Sequence, residues 1–175
     1  MIGGNNLTNE KQTAQREAPI YRHDGIYAQE HGELDQYRAS RKANAACKEA
    51  IEASIREHFD GMNLDDAALK DVLECFSMER VSYVLANTIQ QKTWDGRFSR
   101  SNREWAEAVP MFEPENRRFY FVVESHPAVL DGFVRQFRDE QTAERAKPSI
   151  KAQLAAGAAQ VQPHAMQQNV DREAR

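Results

Sequence analysis

A long stretch without helix breakers is the feature that most limits how this chain can fold. Residues 33–59 contain neither Pro nor Gly, and apolar residues recur there at helical spacing. These residues are Leu34, Tyr37, Cys47, Ile51, Ile55 and Phe59. Because residues three to four apart share one face of a helix, the pattern predicts one long amphipathic helix. With 175 residues in all, the sequence predicts one compact, mainly α-helical domain with tails.

Shorter helices are expected on both sides of the long one. The predicted spans are residues 25–31, 64–76, 77–91, 101–109 and 125–139. Each begins at, or directly after, a residue whose side-chain oxygen can accept a free N–H of the first turn. The expected caps are Asp24, Asn63, Ser77, Ser101 (in a capping box with Glu104) and Ser125. Gly32 and Pro110 are the expected stops after the first and fourth of these helices.

One segment has the composition of a strand. Residues 118–123 are aromatic or β-branched after Arg118. Because backbone groups of a lone strand need a partner, we expect a small β element. Residues 19–22 and the same strand of a second copy are both candidate partners, so a homodimer stays open.

Composition divides the chain into three parts. Residues 1–18 are rich in Asn, Gln, Glu and Thr without an apolar period, which predicts disorder. Residues 19–138 form the predicted helical domain. Residues 139–175 are predicted to be a flexible Ala/Gln-rich tail with a weak helix over 150–159.

The chain shows no signal peptide and no apolar window of about 18 residues, so we expect a cytoplasmic protein with no membrane partner. In that compartment Cys47 and Cys75 are expected as free thiols packed in the core. No His-Glu-x-x-His pair, Cys-x-x-Cys pair or Gly-rich phosphate loop is present. His58 is expected to interact with a helix C-terminus. The sequence therefore predicts a non-enzymatic protein without metal, cofactor or small-molecule substrate.

A polar turn that contains two large aromatic residues is the main candidate for binding. Trp94 and Phe98 flank Asp95 and Arg97 in this turn. Loops are normally polar, so such aromatics either fold back to clasp two helices together or face a partner. Both roles stay open, and the clasp is favoured. The tentative partner-binding residues are Trp94, Asp95, Arg97 and Phe98.

The charge balance favours a protein partner over nucleic acid. A formal net charge of −4 is unusual for a general nucleic-acid binder. The basic face of the long helix is diluted by acidic residues, which is typical of a solvated surface. A second basic group lies beside the aromatic turn and keeps a DNA-associated role as the alternative: Arg97, Arg100 and Arg103.

Several blocks of the sequence together resemble an uncharacterised domain family found in conjugative and integrative elements of Firmicutes. The blocks are residues 21–34, 37–44, 58–62, 84–88 and 94–99, with a further phrase at 147–157. The resemblance implies an accessory protein of a mobile genetic element in a bacterial host. Some small members of this family resemble anti-CRISPR proteins, which inhibit the nuclease Cas9.

A Cas9 inhibitor could act by occlusion, because Cas9 reads its short DNA tag through arginines in a basic cleft. Acidic residues near the end of the long helix could occupy that cleft in competition with DNA. The tentative contact residues are Asp60, Asp65 and Asp66, with Asp71 and Glu74 close by in the sequence. The alternative function is a DNA-associated module that serves conjugation or replication of the element.

Overall fold

The computed structural model describes residues 17–92, 94–111, 121–148 and 150–159. Within these ranges the chain forms seven α-helices and no sheet. The helices are α1 Gly25–Glu30, α2 Leu34–His58, α3 Ala67–Cys75, α4 Met78–Gln91, α5 Arg100–Ala108, α6 Pro127–Ala146 and α7 Ile150–Ala159. The prediction of a helical domain with one long helix is confirmed.

Two predicted helix caps are confirmed in detail. Asp24 Oδ1 accepts the backbone N–H of Tyr27 at 2.7 Å and starts α1. Ser77 Oγ accepts the N–H of Arg80 and starts α4. Gly32 has a φ of +71°, a left-handed conformation that Gly adopts readily, and it separates α1 from α2.

Two other predicted caps are wrong. α3 begins at Ala67 and not after Asn63, because residues 60–65 form a turn of their own. In this turn Asp60 Oδ1 accepts the N–H groups of Met62 and Asn63, at 2.8 Å and 2.7 Å. α5 is capped by Ser99, whose Oγ accepts the N–H of Asn102, and not by Ser101.

The central element of the core is α4. Every residue from 80 to 89 is buried, so this helix is enclosed on all sides. It packs against α2, α3 and α5. The predicted apolar stripe of α6 also joins the core through Leu130, Phe133, Val134 and Phe137. Cys47 is buried as expected, whereas Cys75 is exposed at the end of α3, so its predicted core position is wrong.

A buried arginine holds the start of the described chain against α2 and α4. Arg80 is 1% exposed, and its Nε donates to Glu17 Oε1 at 2.7 Å. The same guanidinium donates to Ala18 O, Asn44 Oδ1 and both oxygens of Ser40. Glu17 and Ala18, assigned to a disordered segment by composition, thus have fixed contacts. Residues 1–16 lie outside the described residues.

Half of the predicted strand, residues 118–120, lies outside the described residues, which resume at Phe121. Residues 121–123 are not in a strand, and neither are residues 19–22. Side chains accept backbone N–H groups in both segments: Thr88 Oγ1 binds Val123 N at 3.0 Å, and Ser40 Oγ binds Tyr21 N at 2.9 Å. The expected ribbon between the two segments is therefore not formed by these residues, and self-pairing of a dimer stays a prediction.

The chain divides into two units, Met1–Gln141 and Thr142–Arg175. α6 continues past Asp139, where the sequence placed the start of the tail, to Ala146. The second unit contains α7, which agrees with the helix predicted over residues 150–159. None of the described helices is long and apolar enough to cross a bilayer.

Candidate partner-binding surfaces

The turn between α4 and α5 is held by hydrogen bonds within it. Asp95 N donates to Lys92 O at 2.9 Å, so a hydrogen-bonded turn follows directly after the end of α4. The buried Asp95 carboxylate accepts Arg97 N, Nε and Nη2 at 3.0, 2.9 and 2.8 Å. Hydrogen bonds from the Arg97 side chain and backbone lower the pKa of Asp95 to about 2. Asp95 and Arg97 therefore stabilise the loop itself.

Contacts with other elements fix both ends of this turn. Lys92 Nζ donates to the carbonyl of Val123 at 3.4 Å. At the other end, Ser99 N donates to Asp131 Oδ1 of α6 at 2.8 Å. The same carboxylate oxygen accepts Asn102 Nδ2 at 2.8 Å, so α5 and α6 are joined at this point.

The two aromatic residues of the turn have different environments. Phe98 is 1% exposed and belongs to the core, so the predicted clasp is confirmed for this residue. Trp94 is 77% exposed, and the clasp prediction is wrong for it. The buried Phe98 and Asp95 hold a turn that presents Trp94 to solvent. We call residues 94–99 the Trp94 turn.

The predicted acidic residues are all exposed around α3 and the turn before it. We call the following set the acidic surface: Asp60, Asp65, Asp66, Asp71 and Glu74. Three of its carboxylates also have local roles. Asp60 accepts backbone N–H groups, which lowers its pKa, Asp65 Oδ1 accepts Ala67 N at 2.9 Å, and Asp71 contacts His58. Asp66 and Glu74 have no side-chain partner within the described part of the chain.

Three side chains at the end of α2 and on α3 could hold a divalent cation. Ligand atoms of Glu57, His58 and Asp71 lie within 4.8 Å of one another. His58 Nε2 and Asp71 Oδ2 are already in contact at 2.6 Å. The sequence placed His58 at a helix end, as observed, but α3 brings Asp71 to it from thirteen residues away.

Local ion pairs occupy two of the three arginines that favoured DNA binding. Arg97 pairs with Asp95, and Arg100 Nε donates to Glu104 Oε1 at 2.7 Å. On the long helix, Lys48 likewise pairs with Glu52 at 2.9 Å. These pairings reduce the positive charge available to phosphates.

A cavity of about 730 Å³ lies between the α2–α3 connection and the first half of α6. Its lining includes Phe59 and Leu64 from the connection and Val129, Gly132 and Gln136 from α6. This cavity was not predicted from the sequence. No local pattern marks it, because its two walls are far apart in sequence and meet only in the folded chain.

These features define the protein as a small helical domain with an exposed aromatic turn and an acidic surface. The chain belongs to a family described as "Protein of unknown function (DUF3849)", whose model matches residues 20–142. The match covers α1 to most of α6, which confirms the expected resemblance to an uncharacterised family. No curated protein and no solved structure matches the chain.

Proposed function

We propose that this protein is a non-enzymatic accessory protein of a mobile genetic element that binds a protein partner stoichiometrically. We further propose that it acts in the bacterial cytoplasm and that its partner is a CRISPR effector nuclease of the Cas9 type. The observation that carries the binding role is the exposure of Trp94 on a turn fixed by buried neighbours. The acidic surface supports the choice of a partner with a basic cleft.

Trp94 has the properties of a binding hot spot. Trp is among the residues that contribute most to interface affinity, since it covers a large area with few rotatable bonds. The turn is already held by Phe98 in the core and by the Asp95–Arg97 pair. A pre-ordered anchor loses little conformational entropy on binding, so the contact gains affinity.

The acidic surface fits a partner that reads DNA with arginines. Cas9 contacts its short DNA tag by such arginines in the major groove. Exposed carboxylates can compete with DNA for such a cleft, and complementary charge also speeds association. Asp66 and Glu74 are the best placed for this role, because neither carboxylate is used within the described domain.

The test is inhibition of DNA cleavage by a panel of Cas9-type nucleases, titrated with the full-length chain. We expect inhibition to saturate near one protein per nuclease. Trp94→Ala should lose inhibition while its melting temperature is unchanged. Ile26→Ala is the matched control, because Ile26 is also a large exposed apolar residue, at 69%.

The acidic surface is tested separately. The double variant Asp66→Asn/Glu74→Gln should weaken inhibition, and the effect should shrink at high salt. Glu49→Gln/Glu107→Gln removes two exposed carboxylates elsewhere and is the matched control. Full inhibition by the first double variant would reject electrostatic occlusion.

Two results would redirect the proposal. If the protein alone shifts labelled DNA with a steep salt dependence, the DNA-associated role in conjugation or replication is supported instead. If inhibition is complete at a small fraction of the nuclease concentration, the protein acts catalytically and the stoichiometric role is rejected.

A further inference from the structure

We propose that the cavity between the α2–α3 connection and α6 binds a small organic acid that has an apolar body. This site goes beyond the proposed partner binding and does not depend on it. It is carried by an apolar wall on both sides of the cavity and by the hydrogen-bond donors of Arg135 and His126 in its lining. The residues that matter are Phe59, Leu64, His126, Gly132, Arg135 and Gln136.

The side-chain amide of Gln136 is half satisfied. Its Nε2 donates to the carbonyl oxygen of Leu64 at 3.2 Å. Its Oε1 is buried and has no hydrogen-bond partner among the described residues. Exchanging the two amide atoms would not help, because the carbonyl of Leu64 would then face another oxygen. Because Oε1 is buried, a ligand in the cavity does not reach it; the role of Gln136 is to join α6 to the α2–α3 connection through its hydrogen bond to Leu64.

The cavity has the size and lining of a small-molecule site. Its volume of about 730 Å³ lies within the range of sites that hold drug-sized ligands. Phe59 and Leu64 form one apolar side, and Val129 lies on the other. Gly132 leaves the space between them open, since an added Cβ there would meet nothing within 4 Å. An apolar ring or branched chain fits this lining.

Two side chains with hydrogen-bond donors, Arg135 and His126, line the cavity and favour an anionic group on the ligand. The side chain of Arg135 is 67% exposed, and its described contact is Nη2 to Asp131 Oδ2 at 3.4 Å. A guanidinium has five N–H groups in a planar fork, so others remain for a carboxylate. His126 Nδ1 accepts Ala128 N, which leaves Nε2 as the donor of the neutral ring. Both side chains therefore offer donors to an acid.

The occupant is a free small molecule, because the cavity matches that size. The test uses three probes that combine an aromatic ring and a carboxylate: N-acetyl-L-tryptophan, indole-3-acetate and hippurate. Backbone amide chemical shifts are followed by NMR in the full chain during titration. We expect at least one probe to saturate, with shifts centred on residues 59–64 and 126–136.

Variants assign the contacts. Gly132→Leu should fill the cavity and abolish binding. Gly132→Ala is its control, because it also replaces a glycine within α6 but adds only a methyl group. Arg135→Gln should weaken binding about tenfold, as expected for loss of one charge-assisted contact. Arg103→Gln is the matched control, because it removes one positive charge away from the cavity.

The following outcomes would overturn the inference. No saturable shift in these residues with any of the probes, in a folded protein, rejects the site. Binding of N-acetyl-L-tryptophanamide as tight as that of the acid rejects the anionic group. Unchanged binding in Gly132→Leu places the probe elsewhere and also rejects the site. Trp94→Ala should bind the probes normally, which separates this result from failure of the proposed partner binding.

Discussion

Arg80 and Glu17 form a hydrogen-bonded ion pair that joins the start of the described chain to the central helix. Arg80 Nε donates to Glu17 Oε1 at 2.7 Å, and Glu17 Oε2 accepts Ser77 N at 2.8 Å. The Arg80 side chain is 1% exposed, so its charge has little access to water. A buried charge of this kind requires a partner, which makes Glu17 a structural residue.

Removal of residues 1–18 should destabilise the domain by about 3 kcal/mol, because the Arg80 guanidinium would lose both Glu17 and the carbonyl of Ala18. Removal of residues 1–16 leaves both contacts in place and is the control. Urea unfolding measures the difference between the two truncations. Equal stability would show that Arg80 finds water or another acceptor when the segment is absent.

Phe98→Ala and Trp94→Ala should differ sharply in stability. Truncation of a fully buried Phe typically costs about 3 to 5 kcal/mol, because it removes apolar contacts and leaves a cavity. Trp94 is mostly exposed, so its truncation should change stability by no more than about 0.5 kcal/mol. Thermal or urea unfolding of both variants is the measurement. A large loss for Trp94→Ala would mean that its ring packs on the domain in solution.

The two cysteines should react at very different rates. Burial raises the pKa of the Cys47 thiol to about 12, whereas Cys75 is exposed. Because the thiolate is the reactive form, a thiol reagent such as 5,5′-dithiobis(2-nitrobenzoate) should modify Cys75 alone in the native protein. Both should react in denaturant. Cys75→Ser should abolish the fast phase, and a fast phase that persisted would indicate local opening around Cys47.

Asp95 should make the stability of the Trp94 turn depend on pH in the acid range. Its pKa is lowered from 3.8 to about 2 by Arg97, so the folded state binds a proton less readily than the unfolded chain. This contribution is complete above about pH 4 and is lost as the pH falls towards about 2. The stability difference between wild type and Asp95→Asn should therefore shrink over this range.

Chemical unfolding at several pH values provides the measurement. Asp139→Asn is the control, since Asp139 is an exposed aspartate on α6. A difference between wild type and Asp95→Asn that stays constant from pH 5 to about 2 would contradict the Asp95–Arg97 pairing.

Most of the helical architecture was predictable from local pattern. The long helix and the apolar stripe of α6 follow from the spacing of apolar residues, which depends only on residues close together in the sequence. The errors occurred where several residues compete for one local role. Ser99 caps α5 in place of Ser101 because Asp131 also holds the Ser99 amide from α6. Such a choice depends on a residue that is distant in sequence.

The candidate sites were predictable only in part. The Trp94 turn stands out in the sequence because aromatic residues are unusual in a polar loop. Nothing in the local sequence distinguishes Trp94 from Phe98, because both are large aromatic residues in the same polar turn. Their burial differs because Phe98 belongs to the core that also includes residues of α6. The cavity and its unpaired Gln136 acceptor gave no local signal, since Gln136 meets Leu64 across 72 positions in sequence.

The sequence by itself determined that this protein is helical, where its long helix lies and which faces are apolar, because these properties depend on residues within a few turns of one another. Only the tertiary structure decided which polar residues are buried and which aromatic residue faces solvent. Arg80, Phe98 and Trp94 illustrate this, because their exposure depends on elements distant in the chain. The physical reason is that burial is a property of packed neighbours, and packing joins segments that local pattern cannot relate.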